Sequence, residues 1–406
     1  MGRFGIDVID ADGHIFESKE FFERLRDSYI EARFKNDLAE MMRLSTDPAT
    51  GQMNTPRLWT HKSKEKALDR MQALGGGPAA PDTQQQSQGR KPGTRAVIDV
   101  LDPKLRLLDM DDEGIDAAVI FPSMMIGFCA LDDKDLEVAL YRAYNRFMGD
   151  FCSADPTRLK YVAMFSQRDI EDGVAEIKRV SPDKTALGLY TQTHMDGKQL
   201  DDPAWYPYWE AAQHAGFAIT VHHGSAALPP WGLGVHEMGN NWFQQHASVF
   251  LYEQMRAVAT VIGGGIADKY PKLPFAFLES GCGWLPFWLE RLDEHFEEMP
   301  HFVPLLKRKP SEVFATGKCF ISFEPDEAML ADVIEVMGDR HLVYASDYPH
   351  FDCRFPDSVK EVAGNTQIKK ESKARVLATL RISTRTSIHS PASPLSRAKS
   401  GRYILA

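Results

Sequence analysis

The sequence predicts an α/β chain folded as a (β/α)8 barrel of the TIM type, with a long insertion after the first strand. Three observations lead there. Eight short apolar runs lie along the chain, most of them separated by helical stretches. The runs show little apolar–polar alternation, as expected of parallel strands covered on both faces. Acidic residues and histidines stand at the C-terminal ends of the first, fifth and eighth runs, and such ends converge when the sheet closes into a barrel.

The strand candidates are 6–9, 117–121, 161–165, 186–190, 217–221, 275–278, 319–323 and 342–345, rich in β-branched and aromatic residues. Helical patterns separate most of them, at 132–151, 170–180, 203–215, 284–295 and 326–336. Such alternation gives a parallel sheet. An open doubly wound sheet fits the same count, and the strand-end residues decide for closure. The interval 17–115 is too long for one connection. Its first part, 18–44, has a helical pattern, and 75–94 is Gly-, Pro- and Gln-rich like a flexible loop. A barrel tolerates an insertion where loops shape the site, so this segment is a candidate lid, with a solvated excursion as the alternative. One barrel domain therefore spans 1–382. The Ser-, Arg- and Thr-rich stretch 383–406 is expected to be a disordered or irregular tail.

The chain has 406 residues, enough to bury a large core without staples. A hydrophobic content of 43% and a charged content of 26% are those of a soluble globular protein. The net charge of -10 argues against a nucleic-acid partner. Cys129, Cys152, Cys282, Cys319 and Cys353 are odd in number and form no CxxC pair, which points to a reducing compartment. The N-terminus has no signal-peptide core, and no apolar run reaches membrane-spanning length. A cytoplasmic protein with a small-molecule substrate and no membrane partner is expected, and a homo-oligomer is left open.

Asp12 and His14 are two residues apart, so on an extended strand both project from one face and form half of a metal site. Alone, a DxH reads more readily as a turn Asp beside a surface His. The fifth run leads into His222 and His223. His222 continues the inward alternation and is the better ligand candidate, with a hydrogen-bonded core histidine as the rival. Asp347 ends the eighth run, where an unpaired carboxylate would be costly to bury and a cation would satisfy it. His350 follows in the adjoining loop. Glu279 ends the sixth run and could act as a general acid or base, or only cap the helix that starts near Trp284. Glu324, at the end of the seventh, reads as structural or supporting. The Gly263-Gly264-Gly265 run lacks the Lys-Ser/Thr of a phosphate loop. Met124, Met125, Trp284 and Trp288 read as pocket wall or core, and Asn145 lies mid-helix.

The residues Ile9 to His14, Met110 to Asp116, Arg142 to Asn145, Asp155 to Leu159, Tyr270 to Leu273, Leu289 to Asp293 and Ala345 to His350 together resemble the amidohydrolase superfamily. The resemblance is to its amidohydrolase-related branch, which includes aminocarboxymuconate-semialdehyde decarboxylase and the resorcylate-type decarboxylases. It implies Asp12 and His14 as the first-strand metal pair, His222 as the fifth-strand ligand, and Asp347 as a residue that binds the ion or orients its water. Binuclear relatives carry a carboxylated Lys at the end of strand four. Here that end reads Leu189-Tyr190-Thr191-Gln192-Thr193, which implies one ion. Many relatives have a catalytic His at the end of strand six, where this chain has Glu279.

The leading expectation is a metal-dependent non-oxidative decarboxylase of a small aromatic or unsaturated carboxylic acid. The ion would be Zn2+, with Mn2+ as the alternative, and Asp347, Glu279 or His223 would handle the proton. With an ion beside it, Glu279 is expected to be a base or water-orienting group. The second reading is a hydrolase of an amide, ester or lactone acting through metal-bound hydroxide. The third is an inactive barrel that serves as a binding protein.

Overall fold

A computed structural model describes residues 5–49, 51, 53, 101–222, 242–350 and 352–379. Eight parallel strands follow one another around one sheet: β1 Ile9–Ile15, β2 Ala117–Pro122, β3 Leu159–Ala163, β4 Ala186–Thr191, β5 Ala218–Val221, β6 Phe275–Phe277, β7 Cys319–Phe323 and β8 Leu342–Tyr344. Every strand is buried along its whole length, which explains why the sequence shows continuous apolar runs instead of alternation.

Past β8 the chain meets β1 and brings the edges of the sheet together. The Asp347 amide donates to Asp12 O at 3.0 Å, and the His14 amide to Tyr348 O at 2.6 Å. Asp10, fully buried, accepts the Ser346 amide at 2.9 Å and the Ser346 hydroxyl at 2.6 Å. Arg106 seals this join, donating to His14 O at 2.7 Å and lying over the Tyr348 ring. A Cβ at Gly13 would come within 2.6 Å of both Arg106 and Asp10, so only glycine fits there.

The first strand is the largest departure from the expected boundaries. It begins at Ile9 and runs through the Asp-Ala-Asp-Gly-His motif to Ile15. Polar side chains and a glycine are poor strand formers, and here cross-strand bonds override propensity. The register to β2 slips by one residue between Asp10 and Gly13, a bulge of the kind that re-aims side chains beside functional sites.

The helices start where acidic caps stand. Asp102 caps α3 (Pro103–Glu113), Asp133 caps α4 (Lys134–Cys152) and Asp169 caps α5 (Ile170–Val180), each accepting a first-turn amide. α3 ends on Gly114 and α6 (Tyr206–Ala215) on Gly216, both left-handed. Asn145, ambiguous in sequence, is buried on α4. Its amide nitrogen donates to Met164 O and to Glu176 of α5, both at 2.7 Å, and its oxygen accepts the Met164 amide at 2.8 Å. It therefore ties two helices to the exit of β3.

Within the insertion, α1 (Lys19–Arg24) and α2 (Lys35–Ser45) bear out the helical pattern of 18–44. Phe21 packs on Phe147 of α4 and Phe22 on Phe128. The 75–94 stretch and the 383–406 tail lie outside the described residues, as does most of the candidate lid 17–115 between its first helices and Leu101. A two-stranded hairpin, His194–Met195 with Lys198–Gln199, was not expected. Its signal was the Asp196-Gly197 pair, both with positive φ, as a tight hairpin turn requires. No described helix is long and apolar enough to cross a membrane.

Asn145→Ala leaves the Met164 amide and carbonyl and the buried Glu176 short of a partner. We expect it to lower stability by about 2–4 kcal/mol. Denaturant unfolding monitored by circular dichroism checks this, and a change below about 0.5 kcal/mol would contradict the tether.

Candidate functional site

The ends of β1, β5, β6 and β8 converge at one mouth of the barrel. Asp12 and His14 are buried, and their side chains meet with His14 Nε2 at 3.5 Å from Asp12 Oδ1. The bulge before Gly13 leaves the pair on one side, as the sequence suggested. His222, one residue past β5, lies with Nε2 at 3.7 Å from Asp12 Oδ1. Its ring stacks on Phe121 at 5.3 Å. From α7 (Trp242–Val258), Gln254 donates to Val221 O and Leu278 O, both at 2.9 Å, and so pins the exits of β5 and β6.

Asp347 Oδ1 lies 3.3 Å from His14 Nε2 and 2.6 Å from His350 Nδ1. The candidate ligands thus form two overlapping groups that share His14. One is Asp12, His14 and His222, the other His14, Asp347 and His350. Glu279 Oε2 lies 3.1 Å from His222 Nε2, so the sixth-strand carboxylate does turn into the cluster. Glu324 is exposed, and His223 lies outside the described residues.

The electrostatics describe a site short of positive charge. Burial, with Asp347 and Asp10 nearby, holds the Asp12 carboxyl well above the usual carboxylate range. Burial raises Glu279 likewise, with Asp347 and Asp12 adding to it. Burial lifts Asp347 to about 6 against the pull of His350. Burial and the neighbouring imidazoles hold His14 well below its usual range, so its ring is neutral and its lone pair available. Asp12 Oδ1 and His14 Nε2 are buried without a hydrogen-bond partner. Buried polar atoms normally have one. Tetrahedral donors at bonds of about 2.0–2.2 Å lie ~3.3–3.6 Å apart, close to the separations here. The donor set therefore fits a divalent cation, which would also favour the charged carboxylates.

Backbone strain marks the same residues. Glu279 and Asp347 have φ of 57° and 53°, and with Asp196 they are the left-handed non-glycine residues among those described. Such conformations cost about 1–3 kcal/mol and persist where the surroundings enforce them.

Several participants were not legible as such in the sequence. Asp10 sits in the motif, but its bond to Ser346 spans almost the whole chain. Glu17 is fully buried and accepts the amides of Ser123 at 3.1 Å, Met124 at 2.7 Å and Met125 at 3.2 Å. It thereby fixes the turn after β2. Ser123 Oγ lies 2.9 Å from His350 Nε2, and no local pattern announces that contact. Gln192, at the strand-four position singled out for its missing Lys, bonds to Ile126 O and Cys129 Sγ.

A family model described as amidohydrolase matches residues 9–378. This chain belongs to the amidohydrolase family. Among curated proteins it is similar to 2-amino-3-carboxymuconate-6-semialdehyde decarboxylase of Dictyostelium discoideum, at 25% identity over 252 residues, or 61% of this chain and 67% of that one. Its fold is that of 5-carboxyvanillate decarboxylase from Sphingomonas paucimobilis, with a TM-score of 0.61, 23% identity, and 92% and 97% of the two chains covered. The enzyme described by the same name from Novosphingobium aromaticivorans, complexed with manganese and 4-hydroxy-3-methoxy-5-nitrobenzoic acid, gives a TM-score of 0.63 at 19% identity, covering 93% and 96%.

Chelator-treated protein should gain stability when a divalent ion is restored, by about 2.7 kcal/mol at a hundredfold excess over Kd. Asp12→Ala should abolish the gain. Thermal melts with and without Zn2+ or Mn2+ test this, and an equal gain in Asp12→Ala would place the ion elsewhere.

Proposed function

We propose that this chain is a metal-dependent non-oxidative decarboxylase of a small aromatic or unsaturated carboxylic acid. The observation that carries the reading is the convergence of Asp12, His14, His222 and Asp347 at the barrel mouth, where Asp12 Oδ1 and His14 Nε2 are buried without hydrogen-bond partners. These four residues would hold one divalent ion. Mixed nitrogen and oxygen ligands suit zinc and also admit manganese, the metal named for one of the similar folds. The similar proteins described above as decarboxylases support the choice of bond.

When bound, the ion supplies Lewis acidity toward substrate oxygens. The chain supplies the rest. Phe121, stacked on His222, holds that ring in place, and the bond from His14 Nδ1 to Pro122 O, at 3.2 Å, leaves His14 Nε2 to face the cluster. Loss of CO2 replaces a carbon–carbon bond with a carbon–hydrogen bond, so one proton must reach that carbon. Glu279 and Asp347 offer carboxyl groups in the cluster, within reach of the imidazoles of His222 and His14, and a carboxyl group positioned beside the reacting carbon can relay that proton. We assign delivery to Glu279 or Asp347, with His223 as the remaining candidate.

Metal-reconstituted protein incubated with hydroxylated benzoic acids and unsaturated acids should release CO2, and chelation should stop it. Turnover of amides, esters or lactones without CO2 release would replace this reading with hydrolysis. No turnover of either set would leave a binding protein. Glu279→Gln keeps the size and removes the titration. It should cut turnover by about 10²-fold or more, as loss of an acid–base group does, with metal content unchanged. Near-normal turnover would move proton delivery to Asp347 or His223; a capping role is not open to Glu279, because the helix Leu285–Glu298 has no side-chain cap and the amides of Cys282 and Gly283 are taken by Glu327.

A further inference from the structure

We propose that His350, braced by Ser123, is a positioning residue that fixes the metal-facing oxygen of Asp347, and is not itself a ligand. The inference rests on the metal centre proposed above and extends it to a part of the chain that the resemblance does not assign.

The geometry starts at the turn after β8. Asp347 is left-handed, and the His350 amide donates to Asp347 O at 2.8 Å. This reversal folds the His350 ring back over the cluster, where it lies against His14 with ring centroids 4.1 Å apart and 30° between planes. Both ring nitrogens are engaged. Nδ1 faces Asp347 Oδ1 at 2.6 Å, and Nε2 faces Ser123 Oγ at 2.9 Å. Ser123 is held in turn, because its amide and the two that follow donate to the buried Glu17.

His350 stands with His14 and Asp347 in a group that could hold an ion, so a ligand role must be weighed. Two donors on one ion, each at about 2.0–2.2 Å, sit ~3 Å or more apart. The 2.6 Å between His350 Nδ1 and Asp347 Oδ1 is shorter than that, and is the direct contact of a ring nitrogen with a carboxylate oxygen. On the opposite edge of the ring, Nε2 meets the Ser123 hydroxyl at 2.9 Å, so the ring is held from behind. A carboxylate with two rotatable bonds next to a strained backbone has several ways to turn. A ring nitrogen in close contact with one oxygen, supported from behind by a hydroxyl, restricts them. Outer partners of this kind orient a ligand and set how tightly the metal is held.

The test is metal affinity of the full chain, measured by Co2+ titration against a chelator, with the visible Co2+ spectrum as a second readout. His350→Leu removes the ring nitrogens that meet Asp347 and Ser123 and should weaken affinity by about 10–100-fold and alter the Co2+ bands. His350→Asn places an amide nitrogen where Nδ1 stood, and should recover affinity to within a few-fold of the unaltered chain. Ser123→Ala changes packing little and should give a smaller loss with a shifted spectrum, which keeps the test decisive if His350→Leu does not fold. Unchanged affinity and spectrum in all three variants would overturn the proposal. Affinity as poor in His350→Asn as in His350→Leu would make His350 a direct ligand and overturn it too. Failure of the unaltered chain to bind Co2+, Zn2+ or Mn2+ would instead remove the metal centre itself.

Discussion

Asp10 takes both the amide and the hydroxyl of Ser346 across the join between the first strand and the chain leaving the last. Hydrogen bonds to a buried charged group are among the stronger ones, at about 1.5–3 kcal/mol. Around them the Asp347 amide meets Asp12 O and the His14 amide meets Tyr348 O. The residues that close the barrel therefore alternate along β1 and its partner turn with the residues that would hold the ion. Closing the sheet and assembling the site are the same event. Were the join to open, Asp347 would lose its place beside His14 before any other ligand moved.

The site concentrates unfavourable terms that the fold has to carry. Carboxylates from three strand ends face one another in a buried mouth, two of them on left-handed backbone. Neither residue takes that conformation as freely as a glycine would, and Glu279 less readily than Asp347. The exits are held from outside instead: Gln254 spans Val221 and Leu278, and Glu327 accepts the amides of Cys282 and Gly283 just past Glu279. Such an arrangement is stable only within a large barrel, where many buried apolar contacts offset a few costly polar ones.

The barrel was legible because its strands are buried on both faces and so appear as unbroken apolar runs. The run at 319–323 and the helix at 170–180 match the observed elements end to end. The first strand was placed too early because its motif is polar, and its strand character comes from bonds to residues more than a hundred positions away. The metal-ligand candidates were legible because type and position coincided: Asp12 and His14 share a strand-face period, and His222 and Asp347 follow apolar runs directly. The support around them was not. Ser123 and His350 are separated by 227 positions, and a serine at the end of an apolar run carries no mark of what it will touch. Asn145 and Gln254 were hidden for the same reason, since a polar residue within a helix does not state which carbonyl it will reach.

Glu17 stands where the first strand ends and the long insertion begins, while the amides it holds belong to the turn after the second strand. The clamp thus bypasses everything between. Whatever length or sequence occupies 54–100, the position of Ser123 is set by a carboxylate that precedes it, and through Ser123 so is the ring that faces Asp347. A single side chain thus ties the turn after the second strand directly to the end of the first.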